Sequence, residues 1–287
     1  MSTTQQLDRR LHAYRPDLAD DRLRGQVEAA SFVVAHTAHV VLPVCDVRSR
    51  PSREAGVTTQ FLRNAQVAVF ENRGGWAWVQ AQADGYVGYV PSAAIAVGAP
   101  QPATHRVSAA RTFVYSEPDL KTPATTALSM GTHLAVTDTV EARGTQYGVL
   151  ADGGYVVASH LRRVTDHADD YVSVAEALIH TPYLWGGSSA FGVDCSGLVQ
   201  LAMAMCGSSQ SRDSDMQFES TGTPIDAEAG LQRGDLIFWN GHVAIVRDSD
   251  TIIHANGHSM TVAIEDRVEA IERIAYLYEN PIGFKRP

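Results

Sequence analysis

Cys195 stands in Phe191-Gly192-Val193-Asp194-Cys195-Ser196-Gly197-Leu198, just ahead of an apolar run, and two histidines follow at His242 and His254. A thiol attacks as its thiolate, which forms best at a helix N-terminus beside an imidazole. Leu198, Val199, Leu201, Ala202 and Met205 give the run a broad apolar face at helical spacing, and Gly207 sits where such a helix stops. Cys195 is therefore expected in the first turn, at the positive end of the helix dipole, with its thiolate favoured. Gly197 would let neighbouring backbone come close, and amides around Cys195 could form part of an oxyanion hole. Such a thiol suits attack on an amide carbonyl and passage through an acyl-enzyme. The plainer alternative is a buried structural cysteine, which suits Cys206 and Cys45 better than Cys195, flanked as it is by Asp194 and Ser196.

The histidines lie on two strand-like runs, His242-Val246 and Thr251-Ala255, separated by Arg247-Asp248-Ser249-Asp250. A three-residue loop would set His242 directly opposite His254. A five-residue loop would make them diagonal neighbours on one face, and an even loop would part them, because side chains alternate along a strand. In either odd register one imidazole can serve as base and the other as its orienter. Asp248 lies six residues along, about 20 Å from His242 at strand rise, and cannot orient it. Zinc held by Cys195, His242 and His254, with His258 as a fourth ligand, is the competing arrangement.

The rest of the chain must position these groups. From Asp235 onward the runs Leu236-Trp239, His242-Val246, Thr251-Ala255, Thr261-Ile264, Ile274-Tyr278 and Ile282-Phe284 all look like strands. Helical signals precede them, over Val172 to Ile179 and after Cys195, so residues 168–287 are expected to form an α+β domain with an antiparallel sheet. Upstream, two segments resemble each other. Trp76 to Pro91 and Tyr147 to Val157 each hold an apolar strand, an Asp-Gly turn and a second strand opened by tyrosine. Two tandem β-barrels, at 31–98 and 103–164, fit this pattern, with Gly98-Ala99-Pro100-Gln101-Pro102 as the step between them. One β domain with two hairpins is the other possibility. Residues 1–30 look like a charged, partly helical arm, interrupted by Pro16.

Bulk composition narrows the function. The chain has 287 residues, 45% hydrophobic and 19% charged, with a formal net charge of -9. An acidic surface disfavours nucleic acid and anionic membranes or wall polymers as partners. Three scattered cysteines make no disulfide framework and suggest a reducing compartment. The charged start lacks the apolar core of a signal peptide, and no run approaches the roughly 18 apolar residues of a membrane span, so a cytoplasmic location is expected. Secretion by another route stays open.

Four motifs carry a resemblance: Pro182-Tyr183-Leu184-Trp185-Gly186-Gly187, Asp194-Cys195-Ser196-Gly197-Leu198, Gly241-His242-Val243-Ala244 and Ile253-His254-Ala255. Here the chain resembles the NlpC/P60 cysteine peptidases, papain-like in fold, which cut bacterial cell-wall peptides. The two upstream repeats resemble bacterial SH3 domains, and the domain order is similar to γ-D-glutamyl-L-diamino-acid endopeptidases of murein recycling. The resemblance implies two SH3-like barrels before a papain-like domain, with Cys195 as nucleophile, His242 as base, His254 as orienter and Tyr183 aiding the oxyanion. It implies no metal and no cofactor. The implied substrate is a muropeptide such as L-Ala-γ-D-Glu-meso-diaminopimelate, cut after γ-D-Glu. Its free amine would meet Asp194, Ser196 and Ser214, with Tyr89 and Glu54 walling the pocket from the first SH3-like domain and Trp185 lining the cleft. A core or surface role for Tyr183, Trp185, Tyr89 and Glu54 competes with each of these assignments. A hydrolase of intact wall, a non-catalytic muropeptide-binding protein and an acyltransferase are the rival functions.

Overall fold

The computed structural model describes residues 7–226 and 230–287. Residues 7–35 contain no α-helix, and the start of the expected arm, residues 1–6, lies outside the described residues. Leu18–Asp20 pairs in parallel with Ser31–Val33, and Asp20 caps a single 3₁₀ turn at Asp21–Leu23. Tyr14, Ala19 and Leu23 form a small buried cluster with Leu7, Val27 and Phe32, while Ala13 packs on Phe70 and Trp78. The expected partly helical arm is thus an irregular strap with its own core. Pro16 and the extended pair leave no room for a helix longer than one turn.

A seven-stranded antiparallel sheet follows, in the order Val57–Leu62, Val44–Arg48, Val87–Pro91, Trp76–Ala81, Gln66–Arg73, His36–Val40, Ile95–Val97. The turn around Asp84-Gly85 joins two of its strands, with Trp78 opposite Tyr89 and Gly85 at φ 76°. Alternate residues such as Val47, Val67, Val79 and Val90 fill its interior. The second β unit has a five-stranded and a three-stranded antiparallel sheet around Val107, Val114, Leu128, Leu134, Leu150 and Val156. Its hairpin turns at Asp152-Gly153-Gly154, with Val149 opposite Tyr155.

The C-terminal part holds four α-helices among the described residues: α1 (Tyr171–Glu176), α2 (Cys195–Met205), α3 (Ser214–Ser220) and α4 (Arg267–Tyr278). Its six-stranded antiparallel sheet runs Thr223–Ile225, Gly283–Arg286, Leu236–Trp239, His242–Val246, Thr251–Asn256, Thr261–Asp266. One face, with Phe238, Val243, Ile245, Ile253 and Ala255, buries Leu198, Val199 and Ala202 of α2. The other face, with Ile237, Trp239, Val246 and Ile252, buries Ala270 and Ile274 of α4. Ile274-Tyr278, expected as a strand, is instead the last part of α4. The Asp266 carboxylate accepts the N–H groups of Val268 and Glu269 and starts this helix, and Ala270 and Ile274, four apart, supply its buried face. No helix among the described residues is long and apolar enough to cross a membrane.

Candidate active site

Cys195 opens α2. Asp194 caps the helix, its Oδ1 accepting the Gly197 N–H at 2.7 Å and its Oδ2 the Gly186 N–H at 3.0 Å. A Cβ at Gly197 would stand 2.2 Å from the Gly187 carbonyl oxygen, so glycine is what lets the 183–187 loop lie against the start of the helix. Arg212, 1% exposed, donates from Nη1 to Asp194 Oδ1 at 3.0 Å, from Nη2 to Asp194 Oδ2 at 2.7 Å and from Nη1 to Ser196 Oγ at 2.9 Å. Asp194 and Ser196, expected to receive a substrate ammonium, therefore already hold a buried guanidinium from the chain itself.

The Cys195 side chain is enclosed. Burial comes first and the Asp194 carboxylate second in pushing its pKa up to about 12, against the N–H of Val243, the charge of Arg212 and the N–H of Ser196. The helix end, expected to favour the thiolate, is outweighed by desolvation. The thiol meets the main chain of Val243, the residue after His242.

His242 Nε2 lies 2.9 Å from His254 Nδ1. Ile245 faces Ile253 and Val246 faces Ile252, so the turn spans the five residues 247–251 and the imidazoles are diagonal neighbours on one face. Burial, followed by the charge of His254, pushes the His242 pKa down to about 3. Thiol and imidazole both rest neutral at neutral pH.

His254 is buried, with Nε2 3.3 Å from Glu265 Oε1, in contact but off the line of a well-formed hydrogen bond. The contact with His254 is the largest influence in holding the Glu265 carboxyl down at about 2, against burial and with help from Arg273. Sequence reasoning missed Glu265, because only the strand register brings it to His254. His254 faces Ala263, so Glu265, two residues on, returns to the same face.

The remaining expected site residues scatter. Tyr183 packs against the α2 cluster, and its N–H donates to the Met260 carbonyl at 2.8 Å. Trp185 is 71% exposed at the tip of the loop before Cys195, which rules out packing beneath it. Ser214 is half-buried at the start of α3. Tyr89 turns to the N-terminal strap, its hydroxyl accepting from Arg15 Nη1 at 3.0 Å. Glu54 is exposed beside Ser52 in a turn of the first sheet.

Residues of the first β unit reach the loops beside α2. Gln60 Oε1 accepts the Ser188 N–H at 3.1 Å, Thr59 Oγ1 accepts from Arg212 Nε at 2.8 Å, and the Tyr86 hydroxyl donates to Asp213 Oδ2 at 3.0 Å. Gly186, at φ 76°, passes so close to the Val57 carbonyl that a Cβ would meet it at 2.6 Å. A cavity of about 510 Å³ lies where the two β units meet α2, lined by Phe61, His133, Gln200 and Leu201, and its lining does not include Cys195. Among the described residues no three His, Cys, Asp or Glu side chains gather to hold a metal ion, and His258 is exposed on a turn.

Residues 47–95 match the bacterial dipeptidyl-peptidase SH3 domain and residues 180–276 match the NlpC/P60 family. The chain is 28% identical over 240 residues to dipeptidyl-peptidase 6 of Lysinibacillus sphaericus, covering 76% of this chain and 87% of that protein. It is 34% identical over 108 residues to a γ-D-glutamyl-L-lysine dipeptidyl-peptidase of Bacillus cereus, covering 35% of this chain and 32% of that protein. The fold aligns with an NlpC/P60 family protein from Bacillus cereus at a TM-score of 0.73 and 21% identity, over 87% of this chain and 99% of that one. The chain thus holds an NlpC/P60 domain at residues 180–276, with a bacterial SH3 domain ahead of it at 47–95.

Proposed function

We propose that this protein is a cysteine endopeptidase that cuts the γ-D-Glu to diamino-acid bond of short cell-wall peptides. The observation that carries this reading is the start of α2: Cys195 meets the main chain of Val243, next to a histidine whose Nε2 is 2.9 Å from a second. The bond is suggested by relatives named γ-D-glutamyl-L-lysine dipeptidyl-peptidase in Bacillus cereus and Bacillus subtilis.

Because thiol and imidazole rest neutral, His242 takes the thiol proton as sulfur attacks the γ-carbonyl carbon. Amide groups at the start of α2, with Tyr183, face the developing oxyanion. The tetrahedral adduct collapses to a thioester, and the imidazolium gives its proton to the departing amine. Water then attacks the thioester with His242 again as base, which frees the γ-carboxylate and restores the thiol.

Specificity for a free N-terminal L-Ala remains part of the proposal, with a changed acceptor. Asp194 is committed to Arg212. Asp213, beside Ser214, is the carboxylate we assign to the ammonium, and a bound amine would compete there with Arg10, whose Nη1 lies 3.0 Å from Asp213 Oδ2. We read the second β unit as another SH3-like domain. Three free thiols fit a reducing compartment, and we infer that the substrate is a peptide fragment met in the cytoplasm.

The test is mass-spectrometric digestion of L-Ala-γ-D-Glu-meso-diaminopimelate with free and with acetylated N-terminus, alongside Cys195→Ala. Cleavage of the free form alone, lost in the variant, is expected. Cleavage of both forms would remove the amine specificity, and cleavage by Cys195→Ala would remove the nucleophile.

A further inference from the structure

Glu265 is held as a carboxylate at both oxygens. Arg273 of α4 pairs with Oε2, and Asn256 Nδ2 donates to Oε1 at 3.2 Å. The Asn256 amide cannot turn over, because its Oδ1 accepts the N–H groups of His258 and Ser259 at 3.0 and 2.8 Å. Among the described residues, the charged group that meets buried His254 Nε2, at 3.3 Å and off the line of a well-formed hydrogen bond, is thus an oxygen that accepts and does not donate.

That decides where the protons lie. His254 must carry its hydrogen on Nε2, toward Glu265. Its Nδ1 is then a bare lone pair, and the 2.9 Å contact requires the hydrogen on His242 Nε2. His242 Nδ1 is left bare, as a base must be to accept a proton. The opposite order, with hydrogen on His254 Nδ1, would protonate His242 on Nδ1 and disable it.

We infer that Glu265 is a positioning residue of the hydrolytic site, extending the His242–His254 pair by one member, fixing the tautomers of both imidazoles and supporting the positive charge they gain during attack. The inference rests on the proposed role of His242 as base. Two charged groups face the pair from the packed elements: Glu265 on the neighbouring strand, which favours its protonation, and Arg273 on α4, which opposes it.

The experiment uses the full chain, with Glu265→Gln, which keeps the side-chain volume, and Glu265→Ala. In the wild type, long-range proton–nitrogen spectra of ¹⁵N-histidine-labelled protein should show Nε2–H tautomers for both His242 and His254, assigned with single-histidine variants. In Glu265→Ala both should become tautomer mixtures. On the tripeptide, kcat should fall about tenfold to a hundredfold, with KM little changed. The limb of the kcat/KM profile that reports His242 should move to lower pH in Glu265→Gln, because a negative charge that favours its protonation is gone. Unaltered tautomers and kcat in both variants would overturn the inference. So would a loss of activity matched by a fall in melting temperature, with tautomers unchanged in the folded fraction. If the wild type fails to cut the tripeptide, the proposed reaction falls, while the tautomers, read without substrate, still decide the role of Glu265.

Discussion

Arg212 and Asp194 form a buried ion pair under the N-terminus of α2, Nη2 to Oδ2 at 2.7 Å and Nη1 to Oδ1 at 3.0 Å. The same carboxylate caps the helix and holds the Gly186 N–H, while Arg212 Nε reaches Thr59 of the first β unit. One guanidinium therefore ties the helix that begins at Cys195, the loop before it and the SH3 domain together. Removing a single member of a buried pair leaves an uncompensated charge, so Arg212→Met should cost about 3–5 kcal/mol. The double variant Asp194→Asn/Arg212→Met should cost less than the sum of the two single changes, because they share the interaction. Urea unfolding of the four proteins measures both values, and strict additivity would mean the pair is not coupled.

Gly197→Ala sets two effects against each other. Alanine is the better helix former by about 1 kcal/mol. Its Cβ, however, would overlap the Gly187 carbonyl at 2.2 Å, a backbone atom that cannot rotate away. Overlap should win, with a net loss of about 1–3 kcal/mol. Activity should fall roughly a hundredfold as Cys195 shifts, since misplacement by about 1 Å costs that much. Unchanged kcat in a stabilised variant would show that the loop moves freely.

Acid should weaken the fold through His242. Its folded pKa of about 3 lies below the ordinary 6.5, so the unfolded chain binds the extra proton first. The contribution is complete above pH 6.5 and is lost as pH falls toward 3. Glu265, held at about 2, adds a second loss beginning below its ordinary 4.5. Urea midpoints between pH 7 and 4 should fall more steeply in the wild type than in His242→Gln, and equal slopes would count against a buried neutral imidazole.

Arg106 of the second β unit caps the other end of α2. Nη1 donates to the Ala204 carbonyl at 2.9 Å, and Nη2 to those of Met205 at 3.0 Å and Asp166 at 2.6 Å. Arg106→Met would leave these carbonyls, the buried one of Met205 at the negative helix end among them, without their donor and should cost about 2–3 kcal/mol. Calorimetry checks this, and an unshifted transition would mean that solvent replaces the guanidinium.

Local periodicity determined much of this protein. Apolar spacing after Cys195 set α2, Asp84-Gly85 and Asp152-Gly153 set two hairpins, and alternation put His242 and His254 on neighbouring strands, because each pattern is written within about a dozen consecutive residues. Ile274-Tyr278 misled, since a short apolar run fits a strand or a buried helix face equally, and only the Asp266 cap and the packing of Ala270 on the sheet decide for α4. Tertiary structure alone brought Arg212 to Asp194, Glu265 to His254, and Thr59, Gln60 and Tyr86 to the loops beside α2. Tyr89 meets Arg15 of the N-terminal strap, a contact no sequence period foretells, because docking between segments is a property of the whole fold. The protonation of Cys195 was beyond the sequence for the same reason: the helix dipole is a local property, but the burial that outweighs it belongs to the whole fold.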